Sequence, residues 1–309
     1  MKKVYIYHHN DHDGIVAAGI LYNYIIDIGI YKPEDIIFNM IDYQKELNFD
    51  HIDFDNNEQV WFLDYSFSNE YNKKEFEKLL KRRKYTSDIT WIDHHKTSVR
   101  LFEGYQIPGI RDTALSATAL TYFVLNLGSF DYTEVIDDMT IADLIHKNKH
   151  VPKFIKYIDD YDCWKKLYPE TNDFHYGLTL SDPKDPIINK LLNSNKDIND
   201  IISTGKKIQE YLAFENKEYH VDMYGFEYIL PEEHGGYKCF CMNRKGNSIM
   251  FGDKIKEYDA VIPFYFNGSR WTYSMFTEKD NVDCESVARS YGGGGHLKAA
   301  GWTFDKLIF

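Results

Sequence analysis

Three short stretches hold the residues that can do chemistry. His9, Asp11 and Asp13 alternate in the run from His9 to Gly14, so in an extended loop they can point one way while Asn10 and His12 point the other. Asp64 follows the apolar run 59–63, and Asp93, His94 and His95 follow the run 89–92. Each group stands where a predicted strand ends. Carboxylates and imidazoles gathered at one sheet edge make a poor core, because unpaired acids repel and resist burial. Divalent cations remove that penalty. An oxygen-rich set with one or two imidazoles suits Mn²⁺, and Mg²⁺ less well. Taken singly, each stretch has a plainer meaning. An Asp-x-Asp-Gly is usually a turn, a His-His pair is mostly surface, and Asp64 alone would read as a helix N-cap.

The elements that must position these groups alternate along the chain. Runs 4–7, 36–40, 59–63 and 89–92 read as strands, and 15–21 and 68–84 as helices. Further helices are expected over 113–127, 135–146 and 152–164. Strands alternating with helices predict a parallel sheet covered on both faces. From 183 the chain turns helical and highly charged, with Gly205 marking a possible break between two helices. Short strands follow at 224–230, 237–242, 260–266 and 271–276, then a helix at 284–290 and the glycine run 292–295. The expected fold is α/β, with a parallel-sheet domain over 1–182, a helical connector over 183–220 and a smaller α+β domain over 221–309.

Composition narrows the function classes. The net charge is −12, from 48 acids against 36 bases, which argues against a sequence-reading DNA-binding domain. No run is long and apolar enough to span a membrane, and the first residues are too short for a signal peptide. Cys163, Cys239, Cys241 and Cys284 complete no zinc set and read as reduced, packed thiols, which suits a cytoplasmic protein.

The joint pattern resembles the DHH phosphoesterase superfamily with its DHH-associated C-terminal domain, on the nanoRNase-like side. Four stretches carry the resemblance: His9 to Gly14, Leu63 to Ser66, Ile92 to Thr97, and Tyr291 to Gly301. It implies a metal-dependent phosphodiesterase acting on short oligonucleotides, with two divalent cations, Mn²⁺ before Mg²⁺ or Co²⁺, activating a water. A cyclic nucleotide or dinucleotide, or a nucleotide bisphosphate, is the alternative substrate. A scaffold that senses nucleotides without cutting them is the alternative of another class. Short single-stranded RNA or DNA, or a small nucleotide, is the implied partner, with no membrane, no stable protein partner, and either a monomer or a homodimer.

The resemblance also implies roles. His9, Asp11, Asp13, Asp64 and His94 match metal ligands, Asp64 bridging two ions. Asp13, Asp64, His94 and His95 are the expected catalytic group, with His95 facing substrate phosphate and Asp93 orienting a histidine behind. The last ligand is ambiguous. An acid with an aromatic four residues on selects Asp160, Asp162 is nearly as suitable, and Asp143 reads as a helix cap or surface acid. Gly293, Gly294, Gly295, His296 and Lys298 are expected to bind an anion, the glycines through a nest of main-chain amides. Arg111 is a candidate phosphate contact. Tyr65, Phe67, Trp164 and Tyr291 are candidate stacking surfaces for a base. Relatives commonly carry an arginine before the glycine loop, and the run Tyr273 to Lys279 has none. Arg270, Lys279 and Arg289 are the possible substitutes.

Overall fold

The strands at 4–9 and 89–92 are buried at nearly every position, so the sheet needs a layer on both faces. A computed structural model describes residues 2–43, 45–101, 105–127, 140–180, 195–218 and 224–309. They fall into two compact units, Met1–Lys206 and Lys207–Phe309.

In the first unit, β1 (Val4–His9), β2 (Ile36–Ile41), β3 (Gln59–Leu63) and β4 (Ile89–Ile92) form a parallel sheet in the order β2-β1-β3-β4. Val4 and Ile6 face one side of it, with α1 (His12–Asp27), α4 (Ala117–Tyr122) and α6 (Lys153–Asp162). Tyr5 and Tyr7 face the other, with Val60, Phe62, Trp91 and α2 (Glu70–Arg82). Both faces are therefore dry, as a parallel sheet requires. Trp91 is fully buried, and its indole N–H donates to the Tyr65 carbonyl at 3.0 Å. Burying one such large side chain contributes about 1.5–3 kcal/mol. The order brings the carboxyl ends of β1, β3 and β4 side by side.

The strand at 89–92 runs directly into its charged triplet, followed by α3 (Lys96–Leu101). The expected helix over 113–127 begins only at Ala117, because Ser116 caps it through the Ala119 N–H, and it continues as a π turn over Phe123–Leu127. Of the expected helix over 135–146, residues 135–139 lie outside the described residues. The described part is α5 (Ile141–His146), with Thr140 as its cap.

Gly205 does not break a helix. The described connector is one continuous helix, α8 (Asn195–Glu218), lying against α7 (Thr171–Leu178). A Cβ at Gly205 would come within 1.7 Å of the Asp173 carbonyl oxygen, and one at Gly177 within 1.9 Å of the Ile201 oxygen. Here glycine permits two helix backbones to touch. The connector residues 181–194 and 219–223 lie outside the described residues.

The second unit is a six-stranded sheet in the order β5-β6-β7-β8-β10-β9. Its strands are β5 (Gly225–Ile229), β6 (Lys238–Asn243), β7 (Ala260–Phe266), β8 (Trp271–Phe276), β9 (Gly294–Gly295) and β10 (Ala299–Phe304). β6 and β7 are parallel and the other pairs antiparallel. α9 (Cys284–Ser290) packs on it, and Cys239, Cys241 and Cys284 are buried thiols in its core. No helix among the described residues is long and apolar enough to cross a membrane.

Gly205→Ala should destabilise the protein by about 1–3 kcal/mol, as overpacking does elsewhere. The check is the urea midpoint, and an unchanged midpoint would contradict the close crossing of α7 and α8.

Candidate metal and phosphate site

The site begins with the local geometry of Asp64. β3 ends in a left-handed residue: Asp64 has φ +57°, and its N–H donates to the Ile92 carbonyl of β4 at 3.0 Å. A non-glycine residue held there costs about 1–3 kcal/mol, and such strain concentrates at functional positions. The turn drives the carboxylate into the protein rather than onto a helix end. Asp64 caps no helix, since α2 starts at Glu70 under Asn69.

Around it the other acids converge. Asp11 caps α1, its Oδ1 accepting from the Gly14 N–H at 2.9 Å, and its Oδ2 lies 2.6 Å from His9 Nδ1. Asp13 accepts from the Ala117 and Thr118 N–H groups at 2.7 and 2.8 Å, so the start of α4 holds it. His94 Nε2 lies 3.2 Å from Asp64 Oδ1, 3.2 Å from Asp162 Oδ2 and 3.6 Å from Asp13 Oδ2. Among the groups whose ligand atoms lie within 4.8 Å of one another are two triads that share Asp64, His9–Asp11–Asp64 and Asp13–Asp64–His94; His94–Asp162–Cys163 and Asp64–Asp93–His95 are others.

Electrostatics confirm the crowding. Burial, reinforced by Asp11 and Asp13, holds the Asp64 carboxyl well above the usual range. Burial also raises Asp162 well above it, against the pull of His94. Burial disfavours the His9 imidazolium, yet its bonds to Asp11 and Asp64 outweigh this and lift it to about 11. Asp64 Oδ1 is buried with no hydrogen-bond partner among the described residues. An unsatisfied carboxylate oxygen amid acids is what divalent cations would relieve, so the donor set fits them.

Of the two α6 acids considered for the last ligand position, Asp160 is engaged elsewhere and Asp162 faces the cluster. Asp160 points away from the cluster: its oxygens accept from Leu167 N–H at 2.6 Å, Tyr168 N–H at 3.2 Å and the Thr171 hydroxyl, tying down the turn before α7. Asp162 stands at the cluster instead. Two residues apart on a helix point to nearly opposite sides, so only one of them can reach the sheet edge. Asp159, three residues before Asp162, accepts from Ser116 N–H at 2.6 Å and pairs with His146 and Lys165 at 2.6 and 2.5 Å. Asp143 is a cap, bonded to Thr140 and paired with Lys147.

Asp93 lies behind His95. Its Oδ1 is 2.8 Å from His95 Nδ1 and accepts from the His94 N–H at 2.9 Å, while Ser98 donates to its Oδ2. Burial would raise Asp93, but His95 outweighs it and the carboxyl stays below its usual range. Two neighbours of these histidines have no role assigned from the sequence. The Tyr43 hydroxyl lies 3.2 Å from His95 Nε2, and Cys163 Sγ lies 3.9 Å from His94 Nδ1. Burial pushes that thiol up to about 12. Cys163 directly follows Asp162 in the chain, whereas only the fold brings Tyr43 to His95.

Several expected substrate contacts have other duties. Arg111 donates to the Trp91 and Ile107 carbonyls at 2.9 and 3.0 Å and stacks over Trp91, clasping the loop after α3 to β4. Tyr65 and Phe67 are fully buried core residues, Tyr65 accepting from Asn72 and stacked on Tyr43. In the second unit, Gly292 and Gly293 N–H groups donate to Arg289 and Ala288 carbonyls, so those amides form no open nest. Gly293 and Gly295 allow close backbone approach, their added Cβ atoms falling 2.1 Å from the Gly301 oxygen and 2.6 Å from Ala300 Cα. Gly294 pairs opposite Gly301, with open space on its Cβ side. His296 exchanges main-chain bonds with Ala299 in the turn before β10. Lys298 is taken up by the Lys279 carbonyl and Asp280 at 2.5 and 2.9 Å. Arg270 and Arg289 pair with Asp305 and Glu285, and Lys279 lies 3.9 Å from Asp259. Tyr291 stacks on Trp302 and against His234.

With this geometry in place, the comparisons with known proteins are informative. No family model matches the chain. The oligoribonuclease NrnB of Bacillus subtilis (strain 168) is 25% identical over 99% of this chain and 74% of its own length. An uncharacterized protein of Acanthamoeba polyphaga mimivirus is 22% identical over 98% and 68%. Among solved structures, the DHH domain of a member of the s1p family of ribosomal proteins superposes with a TM-score of 0.56 at 16% identity, covering 98% of this chain and 83% of that one. RecJ with Mn²⁺ from Thermus thermophilus superposes with a TM-score of 0.51 at 12% identity, covering 98% and 50%. The fold is similar to that of these DHH-domain and RecJ structures, and the sequence is similar to that of NrnB along nearly the whole of this chain.

Asp162→Asn should lower bound Mn²⁺ in equilibrium dialysis and, with EDTA at neutral pH, raise the melting temperature, because it removes a buried acid. Asp160→Asn should keep the metal and cost about 1–3 kcal/mol of stability, because it orphans buried donors. The reverse pattern would restore Asp160 as the ligand.

A pH effect also follows. Asp64, Asp162, His9 and His94 all hold protons more tightly folded than unfolded. The metal-free protein therefore loses stability as pH rises above the ordinary carboxylate range. Asp11, held low by His9 despite burial, acts only below that range. The rise in melting temperature on replacing EDTA with Mn²⁺ should widen from about pH 5 to about pH 8. A gap independent of pH would argue against these acids as ligands.

Proposed function

We propose that the protein is a metal-dependent phosphodiesterase that hydrolyses short oligonucleotides by attack of an activated water. The observation that carries this reading is the pair of ligand triads sharing Asp64 at the carboxyl ends of β1, β3 and β4. The similarity to an oligoribonuclease along the whole chain supports the substrate class.

Asp64 would serve both ions, His9 and Asp11 lying on one side of it and Asp13, His94 and Asp162 on the other. When bound, two divalent cations supply a water of lowered pKa and offset charge on the phosphoryl oxygens. The chain's own groups do the rest. The main-chain amides of Ala117 and Thr118 fix the Asp13 carboxylate. Asp93 accepts from His95 Nδ1 and so orients the ring; a phosphoryl oxygen would take the place of the Tyr43 hydroxyl at Nε2, with both ring nitrogens then carrying protons. Tyr43 and Asp93 grip that ring at both nitrogens, which holds it in one orientation before substrate arrives. His296 is the second unit's candidate donor to phosphate.

Purified protein with Mn²⁺ should release mononucleotides from di- to pentaribonucleotides. Asp64→Asn and His94→Ala should each lower kcat by about 10²-fold or more. A panel with a cyclic dinucleotide and a nucleotide bisphosphate ranks the substrates by kcat/KM. No turnover of any of them by wild type would overturn the enzyme reading, and full activity in Asp64→Asn would overturn the site.

A further inference from the structure

Behind the acid cluster lies a recess of about 190 Å³, enclosed by the start of α1, the end of α6 and α7. One wall is the cluster itself, Asp11, Asp13 and Asp162. The others are rings and aliphatic groups, among them Tyr157, Tyr161, Phe174 and Leu178. Its polar equipment away from the acids is the imidazole pair His12 and His175. Their Nδ1 atoms are 3.2 Å apart, and the His175 ring lies flat on Tyr161, centroids 3.4 Å apart with planes at 9°.

Building on the phosphodiesterase reading, we infer that this recess is a nucleobase subsite for the nucleotide whose phosphate lies at the acid cluster. Three features select that part of the substrate. The recess is smaller than the ~300–1,000 Å³ pockets that enclose whole drug-sized ligands, and it suits one planar ring system. Its chemistry rejects phosphate: three carboxylates form one wall, and no lysine or arginine is among the residues that line it. A contact of 3.2 Å between two Nδ1 atoms requires at least one bare nitrogen, so the pair cannot act as two cations. Ring faces and in-plane imidazole nitrogens are what an uncharged base recognises, by stacking and by hydrogen bonds to its edge. The Tyr161 stack keeps the His175 plane fixed, so the base meets a rigid wall rather than a mobile side chain.

The test compares a diribonucleotide with versions carrying an abasic tetrahydrofuran residue at one end or the other, with Mn²⁺ and the full chain. Wild type should cleave one abasic version at least tenfold less efficiently in kcat/KM than the parent. His175→Phe keeps the ring and removes the nitrogens, and it should shrink that ratio severalfold by lowering turnover of the parent. Leu178→Trp, which fills the recess, should do the same. Wild type cleaving both abasic versions as well as the parent overturns the subsite, and that comparison involves no variant that misfolding can confound. Equal losses on parent and abasic substrates in His175→Phe overturn it too. If wild type cleaves none of these substrates, the phosphodiesterase reading itself fails.

Discussion

A carboxylate buried among other carboxylates is the constraint on which the first unit is built. Asp64 sits at 1% exposure, with Asp11, Asp13 and Asp162 all raising its affinity for a proton. Nothing in ordinary core packing favours this, and the left-handed backbone adds strain. The strand pairing of β3 with β4 fixes the position, through the Asp64 N–H to the Ile92 carbonyl. The apolar layers on both faces of the sheet provide the stability that the charged edge consumes.

The surrounding groups divide into those that face the acids and those that hold them still. His9 and His94 are the cationic partners within reach. Asp13 is clamped by the first amides of α4, and that helix is in turn anchored by Asp159 through the Ser116 N–H. Asp159 is itself neutralised by His146 and Lys165. A chain of hydrogen bonds thus runs from buried Asp159 on α6 through the start of α4 to Asp13. His95 borders this network, its Nδ1 3.8 Å from Asp64 Oδ1, and is held between Asp93 and Tyr43.

The recess behind the cluster completes a division of labour by chemistry. Charged groups gather at the ends of the strands, while ring faces and an imidazole pair line the space between α1, α6 and α7. A substrate with an anionic backbone and a flat uncharged ring presents the same two chemistries. His12 sits between Asp11 and Asp13 in sequence and lines the recess beside them, its Nδ1 3.2 Å from His175 Nδ1.

Much of this was legible in the sequence. β3, β4, β7, β8 and α9 have the limits that their apolar runs predict, because strand and helix periods act locally. The acids and histidines at 9–13, 64 and 93–95 were visible because each directly follows such a run, and a parallel sheet aligns the ends of its strands. Tertiary structure alone decided what depends on the phase and contacts of distant elements. The rotation of α6 about its axis separates Asp162 from Asp160, and the sequence carries both with equal polarity. The crossing of α7 and α8 turns Gly205 from an expected break into a contact, since only packing shows what stands opposite a missing Cβ. Arg111 became a clasp, and Tyr43 a neighbour of His95, for the same reason: local sequence specifies which group is available, and the fold specifies what it meets.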